Sequence, residues 1–476
     1  MRYLITLLLL SLAGCGIYQV SNLKDDNGPF SLLVTVTRTT NNPAWNIKYE
    51  FSKPIIEAQF TDRGHVFRND KFTSNANNYA IVNNNGIEAI KADNEGTVFE
   101  FTHETLPLGF EHGSEFHLPY TNGDVVFYSG YYAIHIVETA GGLDQLDDLT
   151  FKFVDEQGGN VIVNGEMTQG SATWKTNIKH WSTFVYFGQH EPVDSASGKF
   201  KTILDPDLPV WINDSFGPTG EVESLFKYFN DNLFPLSFKP IIFFPYVLPD
   251  QEFPEDDKTL TGRVIRGAKT TLMGARGKDY QTKDPFMYFK LVASVYSHEN
   301  IHLWNAESVD NKDDEKWLWE GGAEILSQYA TKDLGYNNDA CFNWYRKVAY
   351  DQCKFILKFL LDNGVEGFRE HGTFAYRCGR LVGELAQLGI KAKDSSKDVF
   401  NLWSSIFKDA ISSNEDITTE KYLAELVKVV DDSDVIAATN QILKGDLDAD
   451  LASLAKFEAV LTKYNQDWHN QTYQCQ

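Results

Sequence analysis

The chain has 476 residues, of which 42% are hydrophobic and 14% aromatic, enough to bury a substantial core and to exclude a disordered protein. It carries 43 Lys and Arg against 66 Asp and Glu, a formal net charge of −23. Such a surface repels phosphates, and the sequence has no basic cluster, so nucleic acid is excluded as a main partner. At roughly 100 to 200 residues per domain, the length predicts about three folded units.

The N-terminus has the pattern of an export signal. Arg2 precedes an apolar run from Leu4 to Ala13, which is too short to span a bilayer core that needs about 20 residues. The run ends in Leu12-Ala13-Gly14-Cys15, which resembles the lipobox of bacterial lipoproteins. The resemblance implies that residues 1–14 are a signal peptide, that Cys15 is lipidated, and that the protein is anchored in the cell envelope. Gly16 after the cysteine implies the outer membrane, and the alternative is an ordinary signal with an incidental cysteine.

Residues 15–30 are predicted to form a polar tether, and residues 31–195 are predicted to form an antiparallel β-sandwich-like domain. The domain consists of short runs of β-branched and aromatic residues separated by turn signals such as Asn122-Gly123. His103, His112 and His117 fall in this region, in surroundings typical of loops, and we do not expect them to bind a metal.

The pattern changes in residues 196–335, which are predicted to form an α/β unit. Glu221–Asn232 has helical spacing, and Ile241–Phe244 and Thr270–Met273 are predicted strands. Amphipathic helices follow, and they are predicted at Phe286–Leu303, Lys316–Tyr329, Phe342–Asp362, Phe374–Leu388, Asp398–Ser412, Glu420–Val430 and Leu451–Tyr464. Residues 336–476 are therefore a helical bundle, and the predicted fold class is α+β multidomain.

The stretch from His298 to His302 reads His-Glu-Asn-Ile-His. On a helix, positions i and i+4 lie about 40° apart around the axis, so both imidazoles point from one face and can bind one Zn²⁺. Glu299 lies beside them and could take a proton from a catalytic water, the role of the general base in a metallopeptidase. The alternative is a surface helix that happens to carry two histidines.

Glu320 lies 18 positions after His302, at the start of another predicted helix, within WLWEGGAE. A carboxylate there would complete a His₂Glu ligand set and leave a fourth zinc position open. Alone, it could equally be an acid that is favoured at a helix N-terminus.

These two motifs together resemble the gluzincin metallopeptidases, the thermolysin-like clan. His302-Leu303-Trp304-Asn305 with Trp319-Glu320-Gly321 is most similar to the glycyl aminopeptidase family. The resemblance implies a thermolysin-like zinc-binding domain at residues 196–335, completed by residues 336–476. It implies Zn²⁺ held by His298, His302 and Glu320, with Glu299 as the base and a peptide or protein as the substrate.

Further residues follow from the same resemblance. Glu324, one helical turn after Glu320, corresponds to the acid that accepts the free ring N–H of a ligand histidine in thermolysin-like sites, although it could be a solvated carboxylate. Tyr376, in Tyr376-Arg377-Cys378-Gly379, corresponds to the catalytic tyrosine of gluzincin aminopeptidases, although it could be a core tyrosine. Asn305 is expected to help position the zinc helix.

The predicted function is therefore a membrane-anchored zinc metallopeptidase. One stretch departs from the family. Aminopeptidases of the clan place an acidic residue there to hold the substrate amine, but Gly267–Gly277 contains no acidic residue. Two alternatives stay open: an aminopeptidase restricted to free N-termini, and a non-catalytic surface lipoprotein that retains the peptidase fold. Cleavage that requires a free N-terminal amine would favour the first alternative.

Four cysteines besides Cys15 could form disulfides outside the cytoplasm, and four cysteines allow three pairings. Pairing of Cys341 with Cys353 would fit a helical hairpin, and pairing of Cys378 with Cys475 would attach the C-terminus. Free buried thiols are an equal alternative.

Overall fold

The computed structural model describes residues 29–40, 44–61, 66–104, 117–176, 181–247, 260–265, 269–276, 278–305, 315–363, 372–444 and 450–475. The predicted signal peptide, Cys15, nearly all of the tether and His112 lie outside these residues. No helix in the described ranges is both long enough and apolar enough to cross a bilayer.

The strands of the described residues, in chain order, are β1 (Ser31–Arg38), β2 (Ala44–Phe60), β3 (Thr73–Ser74), β4 (Tyr79–Asn84), β5 (Ile87–Glu104), β6 (His117–Pro119), β7 (Val125–Tyr128), β8 (Ile134–Thr139), β9 (Gly142–Gln145), β10 (Asp148–Asp155), β11 (Asn160–Val163), β12 (Glu166–Gln169), β13 (Ser171–Thr176), β14 (Phe184–Gly188), β15 (Val193–Asp194), β16 (Lys201–Leu204), β17 (Ile241–Phe244), β18 (Tyr246–Val247), β19 (Leu260–Val264) and β20 (Thr270–Arg276).

The helices are α1 (Arg68–Lys71), α2 (Val210–Phe216), α3 (Glu221–Asn232), α4 (Pro285–Tyr288), α5 (Ser297–Asn305), α6 (Lys316–Asp333), α7 (Asp339–Asn363), α8 (Gly372–Lys393), α9 (Val399–Ser413), α10 (Thr419–Val429), α11 (Ser433–Lys444) and α12 (Asp450–Lys463). A π-helical segment, Phe289–Tyr296, joins α4 to α5.

Two sheets in the first part of the chain share one core. The larger sheet has β13, β10, β1, β2, β5 and β3 in spatial order, with β4, β8 and β9 paired at its side. The smaller sheet has the order β12, β11, β14, β7, β6. Trp45 of β2 lies 5.2 Å from Phe127 and 5.3 Å from Phe187 of the smaller sheet, measured between ring centroids. The two sheets therefore pack face to face, and their apolar residues form a common core.

A third sheet lies between this core and the helices. Its order is β15, β16, β17, β20, β18, and β19 pairs with β20 in antiparallel orientation. Successive side chains of a strand point to opposite faces. Accordingly, Phe243 of β17 stacks on Tyr186 of the smaller sheet, whereas Phe244 packs against Phe216 in the helical core. Both faces of this sheet are buried, which explains its continuous apolar run at β17.

The predicted α+β class is confirmed, and the helix Glu221–Asn232 and the strand Ile241–Phe244 form with the predicted bounds. The predicted single helix Phe286–Leu303 is instead three successive segments, α4, the π-helical segment and α5. A π-helix places more residues in each turn than an α-helix, so the apolar period alone did not reveal it.

Helices α6 and α8 make a very close contact at two glycines. A Cβ atom built on Gly321 would lie 2.6 Å from the Cα of Gly379, and one built on Gly379 would lie 2.9 Å from the Cα of Gly321. Side chains do not tolerate such distances, so only glycine allows the two backbones to approach this closely. The contact brings Glu320, next to Gly321, close to Tyr376, one turn before Gly379.

We expect Gly379→Ala to lower the free energy of unfolding by about 1–3 kcal/mol, because the added methyl group forces α8 away from α6. Urea denaturation measures the change. Lys391→Ala, on the exposed side of the same helix, is the control and should stay within about 0.5 kcal/mol of the parent. A Gly379→Ala protein as stable as the parent would contradict this contact.

Two disulfides join α7 to α8 and to the C-terminal segment, and neither is Cys341–Cys353 or Cys378–Cys475, the pairings named in the sequence analysis. Cys353 of α7 is bonded to Cys378 of α8, and Cys341 is bonded to Cys475 near the C-terminus. Cys341 and Cys353 lie three turns apart on the same helix, so they cannot reach each other. Of the arrangements that the sequence left open, Cys378–Cys475 and free thiols are therefore also wrong, and Cys341 attaches the C-terminal segment.

Candidate metal centre

His298 and His302 project from the same side of α5 into a buried space. Their Nε2 atoms lie 3.2 Å apart, and their rings are nearly perpendicular, at 85°. Both side chains are almost fully buried. The i, i+4 spacing on one helix thus brings two imidazole nitrogens to one point.

Glu320 of α6 supplies a third donor atom at this point. Its Oε2 atom lies 3.1 Å from Nε2 of His298 and 3.4 Å from Nε2 of His302. Donors about 2.0–2.1 Å from a tetrahedral Zn²⁺ are separated by about 3.3 Å, so the three observed separations fit one ion. Two imidazoles and one carboxylate are also a donor set that Zn²⁺ prefers.

Charges at this point are strongly coupled. Burial opposes protonation of His298, but the Glu320, Glu324 and Glu299 carboxylates outweigh burial and raise the pKa of His298 to about 9. Burial likewise opposes ionisation of Glu320, but hydrogen bonds from the two histidines outweigh it and lower the pKa of this carboxyl group well below its usual range. In the metal-free protein the carboxylate is therefore ionised and His298 carries a proton.

Each histidine has an oxygen near its other ring nitrogen. Nδ1 of His302 lies 3.2 Å from Oδ1 of Asn305, whose amide nitrogen donates a hydrogen bond of 3.0 Å to the Trp319 carbonyl. The Trp319 ring stacks on His302 with centroids 4.3 Å apart. Asn305 can accept the Nδ1–H of His302, which leaves Nε2 available to bind a metal. Nδ1 of His298 lies 3.7 Å from Oε1 of Glu324.

Glu299 is near the two histidines but has a different environment from Glu320. A carboxylate oxygen of Glu299 lies within 4.8 Å of a ring nitrogen of each histidine. The corresponding distances from Glu320 are shorter, at 3.1 and 3.4 Å. Its Oε2 accepts a hydrogen bond of 3.1 Å from the backbone N–H of Val264 in β19. Burial raises the pKa of Glu299 above its ordinary value, against the lowering effect of His302 and His298. Glu320 is therefore the better third ligand, and Glu299 is suited to accept a proton.

Tyr376 of α8 covers the same point from another side. Its ring stacks on His298 with centroids 5.4 Å apart. Burial and the nearby Glu320 and Glu299 carboxylates raise the pKa of Tyr376 well above its ordinary value, so the hydroxyl group keeps its proton. The structure thus brings together His298, Glu299, His302, Asn305, Glu320, Glu324 and Tyr376, whereas Cys15 lies outside the described residues.

The strand beside Glu299 was not predicted. The family resemblance points to Gly267–Gly277 as a stretch near the substrate, but it is β19, with the sequence LTGRV, that contacts Glu299. A Cβ atom on Gly262 of β19 would lie 2.5 Å from Cγ of Glu299, so this glycine makes room for the side chain. The alternation of Leu260, Gly262 and Val264 was the signal for this strand, but five residues are too few to be decisive.

The expected loop surroundings of His103 and His117 are wrong. His103 lies in β5 and His117 in β6, both are buried, and both Nε2 atoms contact the Tyr132 hydroxyl, at 3.1 and 3.2 Å. The ring of His117 stacks on Trp45 with centroids 4.5 Å apart. Burial lowers the pKa of His103 to about 4, so this residue is a neutral part of the β core.

We expect Zn²⁺ affinity to increase with pH up to about pH 9, because a metal must displace the proton that the raised pKa keeps on His298 below that value. Linkage predicts a change of up to about tenfold per pH unit between pH 6.5 and 9. Competition with a chelator, corrected for the chelator's own protonation, measures the affinity. An affinity independent of pH over this range would contradict the assignment of His298 as a ligand.

If the chain is the metallopeptidase that its sequence predicts, we expect Gly262→Ala to lower turnover by about 10²-fold with little change in metal content, because the methyl group displaces Glu299 and its three nearest atoms include no donor atom. Peptide cleavage assays and metal analysis of the same preparation test this outcome. Thr261→Ala on the same strand is the matched control. Loss of metal together with activity would show that the glycine acts on the whole site.

No protein-family model matches the sequence, and no curated protein matches it. Solved structures do match the fold. An aminopeptidase N family protein from Idiomarina loihiensis is similar with a TM-score of 0.58 and 10% identity, over 86% of this chain and 75% of that one. An M1 zinc metallopeptidase from Deinococcus radiodurans has a TM-score of 0.43 and 14% identity, over 87% of this chain and 92% of that one. The first likeness shows that the chain shares the overall fold of that protein, and a shared fold does not by itself decide the chemistry of the site.

Proposed function

We propose that this chain is a zinc-dependent metallopeptidase of gluzincin type that hydrolyses peptide bonds. The observation that carries the proposal is the triangle of donor atoms from His298, His302 and Glu320, with sides of 3.1, 3.2 and 3.4 Å. Glu299 lies next to this triangle with a raised pKa. The fold shared with an aminopeptidase N family protein supports the same conclusion.

In this proposal His298, His302 and Glu320 hold the ion. Zn²⁺, when bound, supplies a Lewis acid that polarises a carbonyl group and lowers the pKa of water. The remaining chemistry belongs to the side chains around it. Three protein donors leave one position of a tetrahedral site open, which is the pattern of catalytic zinc sites rather than structural ones.

Glu299 acts as the general base and then as the general acid. It takes a proton from the attacking water and passes this proton to the nitrogen of the leaving amine. The Val264 N–H holds its carboxylate in place. Burial raises the pKa of Glu299, which makes this carboxylate a better proton acceptor than an exposed glutamate.

Tyr376 stabilises the negative charge that develops on the carbonyl oxygen. Its hydroxyl group keeps its proton, so it can donate a hydrogen bond to that oxygen. The glycine contact between α6 and α8 places this hydroxyl group close to Glu320.

The narrower features of the function belong to the same proposal. The substrate is a peptide or a protein, the class that the resemblance of the His298–His302 and Trp319–Gly321 motifs to gluzincin peptidases implies. A lipid at Cys15 would hold the enzyme at the outer membrane of a bacterial envelope. The similarity to the glycyl aminopeptidase family rests on residues 302–305 and 319–321.

We expect Glu299→Gln to retain about one Zn²⁺ per chain and to lower peptide cleavage by about 10²–10⁴-fold, because the variant keeps the ligands and loses the proton acceptor. Metal analysis and cleavage of a mixed peptide library measure both quantities. Glu50→Gln, in the β core region and half-exposed, is the matched control.

Free and N-terminally blocked peptides in the same library separate an endopeptidase from an aminopeptidase. Zn²⁺ binding without cleavage by the parent would favour a non-catalytic protein that retains the fold. A parent chain that binds no Zn²⁺ would exclude the proposed site.

A further inference from the structure

A buried ionic cluster lies behind His298, and the proposed mechanism does not use it. We call it the Arg380 cluster, and its members are Glu324, Arg346, Arg377, Arg380 and Glu384. Arg380 of α8 has no exposed side-chain surface. Taking a charge out of water is costly unless partners compensate it, so the placement of this guanidinium group requires an explanation.

Two carboxylates flank Arg380. Its Nη2 lies 3.6 Å from Oε1 of Glu384, and its Nη1 lies 4.0 Å from Oε2 of Glu324. Glu384 already has a stronger partner, because Nη2 of Arg346 donates a hydrogen bond of 2.8 Å to it. The Tyr329 hydroxyl donates another hydrogen bond to Glu384, at 2.9 Å. Both of these bonds end on Oε2 of Glu384, so its Oε1 still faces Arg380, and two carboxylates, Glu384 and Glu324, compensate the charge of Arg380.

Glu324 lies between Arg380 and the candidate metal centre. Its Oε1 accepts a hydrogen bond of 3.1 Å from the Tyr345 hydroxyl and lies 3.5 Å from Nη1 of Arg377. The same oxygen lies 3.7 Å from Nδ1 of His298. One buried carboxylate thus lies near two guanidinium groups and the imidazole of His298.

Hydrogen-bonding capacity remains unused along this path. Nδ1 of His298, Oε2 of Glu324 and all three guanidinium nitrogens of Arg380 are buried without a hydrogen-bond partner among the described residues. Separations of 3.7 and 4.0 Å are ion-pair distances and are longer than hydrogen bonds. A small shift of Glu324 toward His298 would form one strong contact while Arg377 and Arg380 continue to compensate its charge.

We propose that Arg380 is a positioning residue for the metal: it holds Glu324 in place as the acceptor for Nδ1–H of His298. An imidazole that binds a metal through Nε2 carries its proton on Nδ1 and needs an acceptor there. This inference rests on the proposed function, because it assigns His298 as a ligand. The competing explanation is that Arg380 only ties α8 to α6, and the two explanations predict different metal affinities.

A double-mutant cycle on the full chain tests the proposal. Zn²⁺ affinity is measured by competition with a chelator at one pH for the parent, Glu324→Gln, Arg380→Met and the double variant. We expect Glu324→Gln to weaken affinity by about 10–100-fold, the usual effect of removing such a partner, and Arg380→Met by about tenfold. The double variant should bind no more weakly than Glu324→Gln alone, because Arg380 acts through Glu324.

A second readout follows the geometry of the site. The visible absorption of the Co²⁺-substituted protein depends on the arrangement of the ligands around the ion. We expect Arg380→Met and Glu324→Gln to shift this spectrum in the same direction. A purely structural role of Arg380 would leave it unchanged in protein that remains folded.

Arg68→Met is the matched control. Arg68 has no exposed side-chain surface and pairs with buried Glu88 at 2.7 Å, but it lies in the β core region away from the metal centre. This variant should lose stability and keep the Zn²⁺ affinity of the parent. Parent-like affinity in Arg380→Met, or losses that add in the double variant, would overturn the proposal.

If Arg380→Met does not fold, Arg377→Met replaces it in the cycle, since Arg377 contacts the same carboxylate and is partly exposed. We expect Arg377→Met to weaken Zn²⁺ affinity by a smaller factor, about two- to fivefold, and we expect this loss to disappear when Glu324→Gln is already present. A loss that persists beside Glu324→Gln would overturn the proposal. A parent that binds no Zn²⁺ would instead contradict the proposed function itself.

Discussion

The candidate site depends on keeping three polar donor atoms within 3.4 Å of one another in a buried space. Without an ion, this arrangement places a proton on His298 against an ionised carboxylate, which is costly to bury. Contacts with neighbouring residues limit how far these groups can move apart. Asn305 and Trp319 contact His302, and Tyr376 of α8 stacks on His298. Such preorganisation is what a metal site requires, because the ligands do not have to be gathered when the ion binds.

Close packing of helices is the second constraint. Helix α6 carries Glu320 and Glu324 on one side and touches α8 through Gly321. One helix therefore provides Glu320, which lies beside both histidines, Glu324, which lies beside Nδ1 of His298, and the contact to α8, which carries Tyr376. The disulfide between Cys353 and Cys378 joins α7 to α8 two residues after Tyr376. A site built on packed helices holds its geometry more tightly than one built on loops.

Sequence patterns predicted what depends on local spacing. The i, i+4 histidines and the amphipathic periods of the later helices are local, and the corresponding helices form close to the predicted bounds. The π-helical segment before α5 was missed because its wider turn still fits an apolar helical pattern. Strand β19 was missed because five residues carry too little alternation, although this strand provides the backbone contact to Glu299. The disulfide pairing could not be deduced, because it depends on how α7, α8 and the C-terminal segment pack.

The sequence by itself determined the residue types and spacings that a metal-binding helix needs, because 3.6 residues per turn place positions 298 and 302 on one side whatever surrounds them. It also determined the α+β class through the change from alternating to helical periodicity. The sequence named Glu320 as the third donor only through a family resemblance, and the distances of 3.1 and 3.4 Å from Glu320 to the two histidines arise only when α5 and α6 pack together. Only the tertiary structure decided that a buried Arg380 lies behind Glu324, since burial and charge compensation arise only when α6, α7 and α8 come together.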